Sequence, residues 1–321
     1  MKRSLLTLAL AMAAIAGLAQ AQLKFNPNQV AILRWYQANQ TASFNLQFSP
    51  SYVAFDGANI WVSGSGFDGY PALLKLRPSD GTVLGTFALG SSISPAGHLV
   101  FDGANVWVMI LPDAICKVRA SDGTVLLTTG AGRGEAGMAF DGTHLWVANY
   151  DNNDVLEFGA DGNLLGTFLS GGLNPSGVTF DGDNIWVTNY SSNSVTKLRA
   201  SDGKVLGTFP VGRGPVGLAF DGGNIWVGNY GSNSVTKLRA GDGKVLGTFT
   251  VGTEPESLAF DGANIWVASD GGNGYSSVTK LRASDGAVLG TLALPTLNLT
   301  IGVAFDGANI WVTGTYNLFK M

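Results

Sequence analysis

Hydrophobic and polar residues alternate along most of this chain in short runs, and the runs recur as a block. Between Val216 and Gly252 the block reads as four strands. Gly217-Leu218-Ala219-Phe220 forms a first strand, A, and Asp221-Gly222-Gly223-Asn224 a turn, since Asp and Gly supply the backbone conformations of tight hairpins. Ile225-Trp226-Val227 is strand B, Asn229 to Ser234 a polar loop, and Val235-Thr236-Lys237-Leu238-Arg239 strand C. Asp242-Gly243 turns the chain into strand D, Val245 to Val251. The pattern predicts an antiparallel meander. Period-2 alternation places Trp226 on the face opposite Ile225 and Val227, where a ring repeated in every block packs against the next one.

Phe-Asp-Gly-x-x-x-Trp-Val occurs in seven variants, at Trp61, Trp107, Trp146, Trp186, Trp226, Trp266 and Trp311. Successive tryptophans lie 46, 39, 40, 40, 40 and 45 residues apart. A period near 40 built from β-rich runs predicts radial blades rather than stacked helical repeats. The expected fold is all-β, a seven-bladed β-propeller of four-stranded antiparallel blades. Its closure follows from the chain ends. There are seven A–B turns, at Asp56, Asp102, Asp141, Asp181, Asp221, Asp261 and Asp306, but six C–D turns, at Asp80, Asp122, Asp161, Asp202, Asp242 and Asp285. Asn317-Leu318-Phe319-Lys320 matches strand C, whereas Ala42-Ser43-Phe44-Asn45-Leu46 matches strand D. The N-terminal strand is therefore expected to complete the last blade and remove a free sheet edge.

In such a meander the A–B and C–D turns share one rim, and the B–C and D–A loops share the other. The A–B spacing is constant, while the longer gaps arise from insertions in B–C loops (63–70, 269–277) and D–A loops (90–97, 295–302). Residues 185–224 and 225–264 differ at nine of 40 positions, four of them between Arg213 and Gly217. Copies kept alike elsewhere have diverged on the loop rim, which is where a ligand is expected.

Composition adds context. Lys2 and Arg3, an apolar run from Leu5 to Ala19 and the small-x-small Ala19-Gln20-Ala21 read as a signal peptide over residues 1–21. A lead-in over 22–41 and the propeller over 42–321 follow. The expected location is the periplasm or the cell exterior. Removing Lys2 and Arg3 leaves 17 basic against 23 acidic residues, which argues against nucleic acid and anionic membrane surfaces as partners. No later stretch is apolar enough to span a bilayer. The lone Cys116 occupies the place of Thr196 and Thr236 in strand C and reads as a buried structural thiol.

Aligning the D–A loops gathers unusual residues at the start of strand A, near the channel mouth. At the position of Gly217 the chain carries Tyr52, His98 and Ser257, and one position earlier it carries Glu256. Arg133 and Arg213 share a loop position, with Glu135 and Glu254 nearby. Arg and Glu facing each other there would suit a carboxylate-bearing or sugar-like ligand. No nucleophile motif, phosphate loop, zinc spacing or haem motif occurs. Asp151-Asn152-Asn153-Asp154 lacks the spacing of a calcium loop. Lys197 with Arg199, Lys237 with Arg239 and Lys280 with Arg282 are expected as a solvated stripe on one sheet face.

Trp186-Val187-Thr188-Asn189-Tyr190-Ser191-Ser192-Asn193-Ser194-Val195, followed by Asp-Gly and Gly-Thr-Phe-Pro-Val-Gly, resembles the YVTN family of bacterial β-propeller repeats, with Trp for the leading Tyr. The resemblance covers about residues 42–321. It implies a seven-bladed ring around a central channel, with ligands met on the rim carrying the B–C and D–A loops. The Asp-Gly-x-x-Trp units also resemble virginiamycin B lyase-like propellers, which implies a His and Glu set with a magnesium ion on that rim. The two histidines here do not supply such a set: His144 lies in an A–B turn on the opposite rim, and His98 is the sole candidate. The expected function is that of an exported, monomeric, non-catalytic binding or scaffold propeller, without a cofactor, that engages a protein, peptide or glycan. The alternative is a lyase or hydrolase at the same rim, assisted by a divalent metal.

Overall fold

A computed structural model describes residues 42–66, 68–90, 94–132, 134, 137–272, 276–294 and 302–321. Residues 1–41, expected to be a signal peptide and a lead-in, lie outside the described residues, as do Arg133 and Glu135. Ala42–Lys320 forms one compact unit. It contains seven four-stranded antiparallel sheets, of which blades 1 to 6 are sequential meanders over 49–88, 96–130, 138–169, 175–210, 215–250 and 255–293. Blade 7 joins Val303–Phe305, Ile310–Thr313 and Asn317–Lys320 to the N-terminal strand Ala42–Asn45. In that pairing Phe44 stands opposite Leu318 and Ala42 opposite Lys320, the closure expected from the ends. Among the described residues no helix is long and apolar enough to cross a membrane.

Each blade follows the local chemistry of its turns. In blade 5 the strands are Pro215–Phe220, Asn224–Asn229, Ser234–Arg239 and Val245–Thr250. Asp221 shapes the A–B turn by accepting from the backbone N–H of Gly223 (2.9 Å) and of Asn224 (2.7 Å). Its other oxygen accepts the Trp226 indole N–H at 2.7 Å. The same Asp–Trp bond recurs in all seven blades at 2.7 to 2.9 Å. The repeated aspartate therefore makes a turn and also satisfies the polar atom of a buried ring.

The core lies between blades. Trp61 packs on Val106 and Val108 of blade 2, Trp186 on Ile225 and Val227 of blade 5, and Trp311 on Ile60 and Val62 of blade 1. A phenylalanine of strand D covers five of the seven rings, as Phe209 does Trp186 at 5.7 Å between centroids, and Thr129 and Leu292 hold that position in blades 2 and 6. For Trp311 the cover is Phe44, also at 5.7 Å, so the N-terminal strand fills a core position as well as a sheet edge. The next blade's C–D turn meets this ring with glycine. At Gly123 the backbone has φ +75°, and a Cβ would collide with Phe87, so two constraints select glycine. Cys116 is buried, and burial pushes its thiol pKa up, as a structural thiol requires.

The strand C stripe departs from expectation. The arginines are exposed and pair with the turn aspartate three residues on, as Arg239 does with Asp242 at 3.0 Å. The lysines are not solvated. Lys197 and Lys237 are buried, each standing over its own tryptophan. Each donates to a carbonyl in the next blade's C–D turn: Lys197 to Ala240 and Lys237 to Ala283, both at 2.6 Å. Strand C pairs with strand B without interruption, so Lys237 and Arg239 share a face, but Lys237 stands mid-strand opposite Trp226 and Arg239 at the strand end opposite Asn224. Lys237→Ala is expected to destabilise the protein by about 1–3 kcal/mol, because a buried acceptor and a ring face lose their partner. Arg239→Ala, at an exposed pair, should cost less than about 0.5 kcal/mol. Equal midpoints for the two variants in urea denaturation would refute the buried latch.

Blade 3 replaces this latch. His144 stands where other A–B turns carry Asn, and Glu157 where strand C carries Lys. The two side chains bond to each other, His144 Nδ1 to Glu157 Oε1 at 2.9 Å. Burial raises the Glu157 pKa, with nearby Asp141 adding to it and His144 opposing. The histidine on the A–B rim thus has a structural partner there.

Candidate functional site

Strand A carries the residues nearest the channel, and in five blades it is bulged at its start. The shifts fall between Pro50 and Val53, Ala96 and Leu99, Pro175 and Val178, Pro215 and Leu218, and Pro255 and Ser257. A bulge adds an unpaired residue and re-aims its side chain, and bulges concentrate beside functional sites. The bulged stretches hold Tyr52, His98 and Glu256, which the sequence singles out, and Gly177 and Gly217, which leave room. A Cβ at Gly177 or Gly217 would strike the backbone carbonyl of the following blade, Val216 or Glu256.

These residues meet in one cavity of about 480 Å³ at the mouth of the channel, on the B–C and D–A rim. Tyr52, His98 and Glu256 line it, with Tyr150, Tyr190 and Tyr230. Tyr52 and His98 stack with ring centroids 3.7 Å apart. Ser257 lies deeper, in a narrower part of the channel shared with Tyr52, His98 and Glu256. His98 is half-buried, since the lumen touches it, yet it is deeply enclosed in the throat, and burial pulls its pKa down to about 4.

The three tyrosines are the part the sequence reading missed. They follow the last residue of strand B in blades 3, 4 and 5, as Asn149-Tyr150, Asn189-Tyr190 and Asn229-Tyr230, each 40 residues from the next. Buried asparagines fix the strand ends from which they emerge: Asn189 and Asn229 each donate to a threonine of strand C at 2.9 Å. The D–A loop that enters the same blade holds the tyrosine backbone. Tyr190 N–H donates to Asn174 and Tyr230 N–H to Gly214, both at 2.9 Å. The readable signal was Asn-Tyr confined to three consecutive repeats, whereas the turn residues recur in all seven.

The charged candidates divide. Arg213 is exposed and is not among the residues lining the cavity, so it does not form the expected Arg–Glu pair over the mouth. The bulge side chains turn inward, whereas Arg213 sits at the tip of its loop, with its N–H held by Ser232. Glu254 lies beside the mouth. It occupies a left-handed position, φ +57°, where the corresponding residues are Gly134, Asn174 and Gly214. A glutamate there costs roughly 1 kcal/mol of backbone strain, a feature that gathers at functional sites. Asn233 anchors its N–H at 3.0 Å, and its carboxylate bonds Tyr230. Burial, then Glu254 and Glu256, push the Tyr230 hydroxyl up to about 12. Burial and Glu254 also raise Asp270. Tyr150 is raised by burial, then by Tyr190 and Asp151.

Among the described residues no three His, Cys, Asp or Glu side chains come together as metal ligands. His98 is stacked on Tyr52, and His144 is bonded to Glu157 on the other rim. These residues do not fit the His and Glu set that a lyase-type magnesium site requires.

No protein-family model and no curated protein sequence matches the chain. Among solved structures it is similar to that of a streptogramin B lyase, with a TM-score of 0.74 and 17% identity over 87% of this chain and 96% of the other. The likeness is one of fold. At that identity the shared seven-bladed ring carries over and the site chemistry does not.

Proposed function

We propose that the protein is an exported binding propeller that takes its ligand at the channel mouth on the B–C and D–A rim. The observation that carries this reading is the convergence of Tyr52, His98, Tyr150, Tyr190, Tyr230 and Glu256 on one cavity of about 480 Å³. That volume falls in the range of small-ligand sites, and an aromatic wall with few polar groups is the usual lining of such sites. A peptide side chain or a single sugar matches the size, consistent with a protein, peptide or glycan as the partner. A thermal-shift screen of metals, sugars, acids and amines tests the reading, because ligands of the native state raise its melting temperature. Any shift should be lost in a Tyr190→Ala/Tyr230→Ala variant and kept in Arg239→Ala on the opposite rim. A shift that survives the tyrosine variant would move the site elsewhere.

A second reading, lyase or hydrolase action at the same mouth, is favoured by His98 and Glu256 lining one cavity. In that reading Glu256 and the neutral imidazole of His98 are groups in the cavity able to accept a proton. Incubation with a streptogramin B antibiotic tests it directly, and an unchanged substrate would exclude that reaction.

A further inference from the structure

The cavity has a chemical bias of its own. Among the described residues its lining contains the carboxylates of Asp151 and Glu256, and no lysine or arginine. Glu254 and Asp270 stand behind Tyr230 and add to the same sign. Arg213 is exposed and outside the lining, while Arg133 and Glu135 flank Gly134 in sequence with opposite charges. His98, the lining's one titratable base, carries no charge at neutral pH. Four tyrosine rings complete the wall. Tyrosine faces attract cations through their quadrupole, and carboxylates at the rim strengthen and orient that attraction.

We infer that the mouth binds an organic cation, an ammonium or guanidinium head on a small apolar stem, held by Tyr150, Tyr190 and Tyr230 and neutralised by Asp151 and Glu256. The inference rests on the binding reading above and narrows its ligand class. The protein already uses this chemistry internally, where the Lys280 ammonium stands 4.6 Å from the centre of the Trp266 ring. Such a head comes either from a free amine or from a lysine or arginine side chain on a partner peptide.

Titration calorimetry on the whole protein separates these cases with choline, spermidine, Nα-acetyl-lysine methylamide, Nα-acetyl-arginine methylamide, N-acetylglucosamine and citrate as probes. The cations should bind, and the sugar and the acid should not. Glu256→Gln should weaken binding about tenfold, and Tyr190→Leu by a similar factor. Asp151→Asn, at an exposed site where folding is not at risk, should weaken it about threefold. Raising NaCl from about 50 to 500 mM should weaken binding further. Preference for the blocked amino acids would identify a peptide source, and preference for choline or spermidine a free amine; both support the inference. Binding of the sugar or citrate alone, lost in Tyr190→Leu, would overturn the cation and leave the binding mouth standing. Silence of every probe, with all three variants indistinguishable from the parent in every titration, would overturn both.

Discussion

Removing residues 42–48 is expected to abolish the cooperative unfolding transition. The segment supplies the outer strand of blade 7, with Ala42, Ser43, Phe44 and Asn45 paired to Lys320, Phe319, Leu318 and Asn317. It also supplies three apolar side chains to the junction of blades 7 and 1. Phe44 covers Trp311, and Leu46 and Phe48 are fully buried with Ile60, Val62 and Leu318. Each large core side chain lost costs about 2–5 kcal/mol, so the three together amount to roughly 10 kcal/mol. That matches the whole stability of an ordinary domain, about 5–15 kcal/mol. Phe44→Ala alone, at a half-buried position, should cost about 2–3 kcal/mol and leave a sharp transition at lower denaturant. A truncated protein that unfolds at the parent's midpoint would show that the ring does not depend on its closing strand.

The second large effect is acid sensitivity centred on His98. Its folded pKa, about 4, lies well below the ordinary value of 6.5 because burial disfavours the imidazolium. Below pH 6.5 the unfolded chain takes up a proton that the folded chain refuses, so stability falls with pH until the folded pKa is reached. The loss between pH 6.5 and 4 is on the order of 2–3 kcal/mol, or roughly 5–10 °C in melting temperature. The turn aspartates act in a separate window. In Asp56 burial alone would raise the pKa, but bonds from Trp61, Asn59 and Ala58 outweigh it and leave the group below its usual value. Stability contributed by such carboxylates is lost only below about pH 4. Melting temperatures at pH 8, 6.5, 5 and 4 for the parent and His98→Asn distinguish the two. The parent should decline across the middle points and the variant should stay nearly flat. Equal slopes would remove His98 as the cause.

The fold was legible because its information is local and repeated. Asp-Gly turns, the Trp on strand B and the missing strand D at one end each constrain the meander without reference to distant residues. The site was legible in part for the same reason. Tyr52, His98 and Glu256 stand out because they depart from a repeat, and the bulges of strand A bring them to one mouth. Tyr150, Tyr190 and Tyr230 were hidden because they repeat, which reads as structure. Arg213 differs between two near-identical copies, but such a difference says nothing about where a side chain points. The buried lysines were misread because alternation gives the face of a strand and not what covers it: that face packs on the next blade at Lys237 and reaches solvent at Arg239.

The lysine latch has a bearing on how such a chain could be assembled. Lys75, Lys117, Lys197 and Lys237 each reach a main-chain oxygen one module ahead, and Lys320 reaches Pro78 across the point where the ends meet. A backbone oxygen is supplied by any residue, so the fastening makes no demand on the neighbour's side chains. Units joined this way can be copied, lost or reordered in the gene without a matching change next door. The third unit, with histidine and glutamate in place of the lysine, does not hold its successor by that means. It marks one seam in the ring, and blade 6, whose Lys280 meets the Trp266 ring without such a bond among the described residues, marks another.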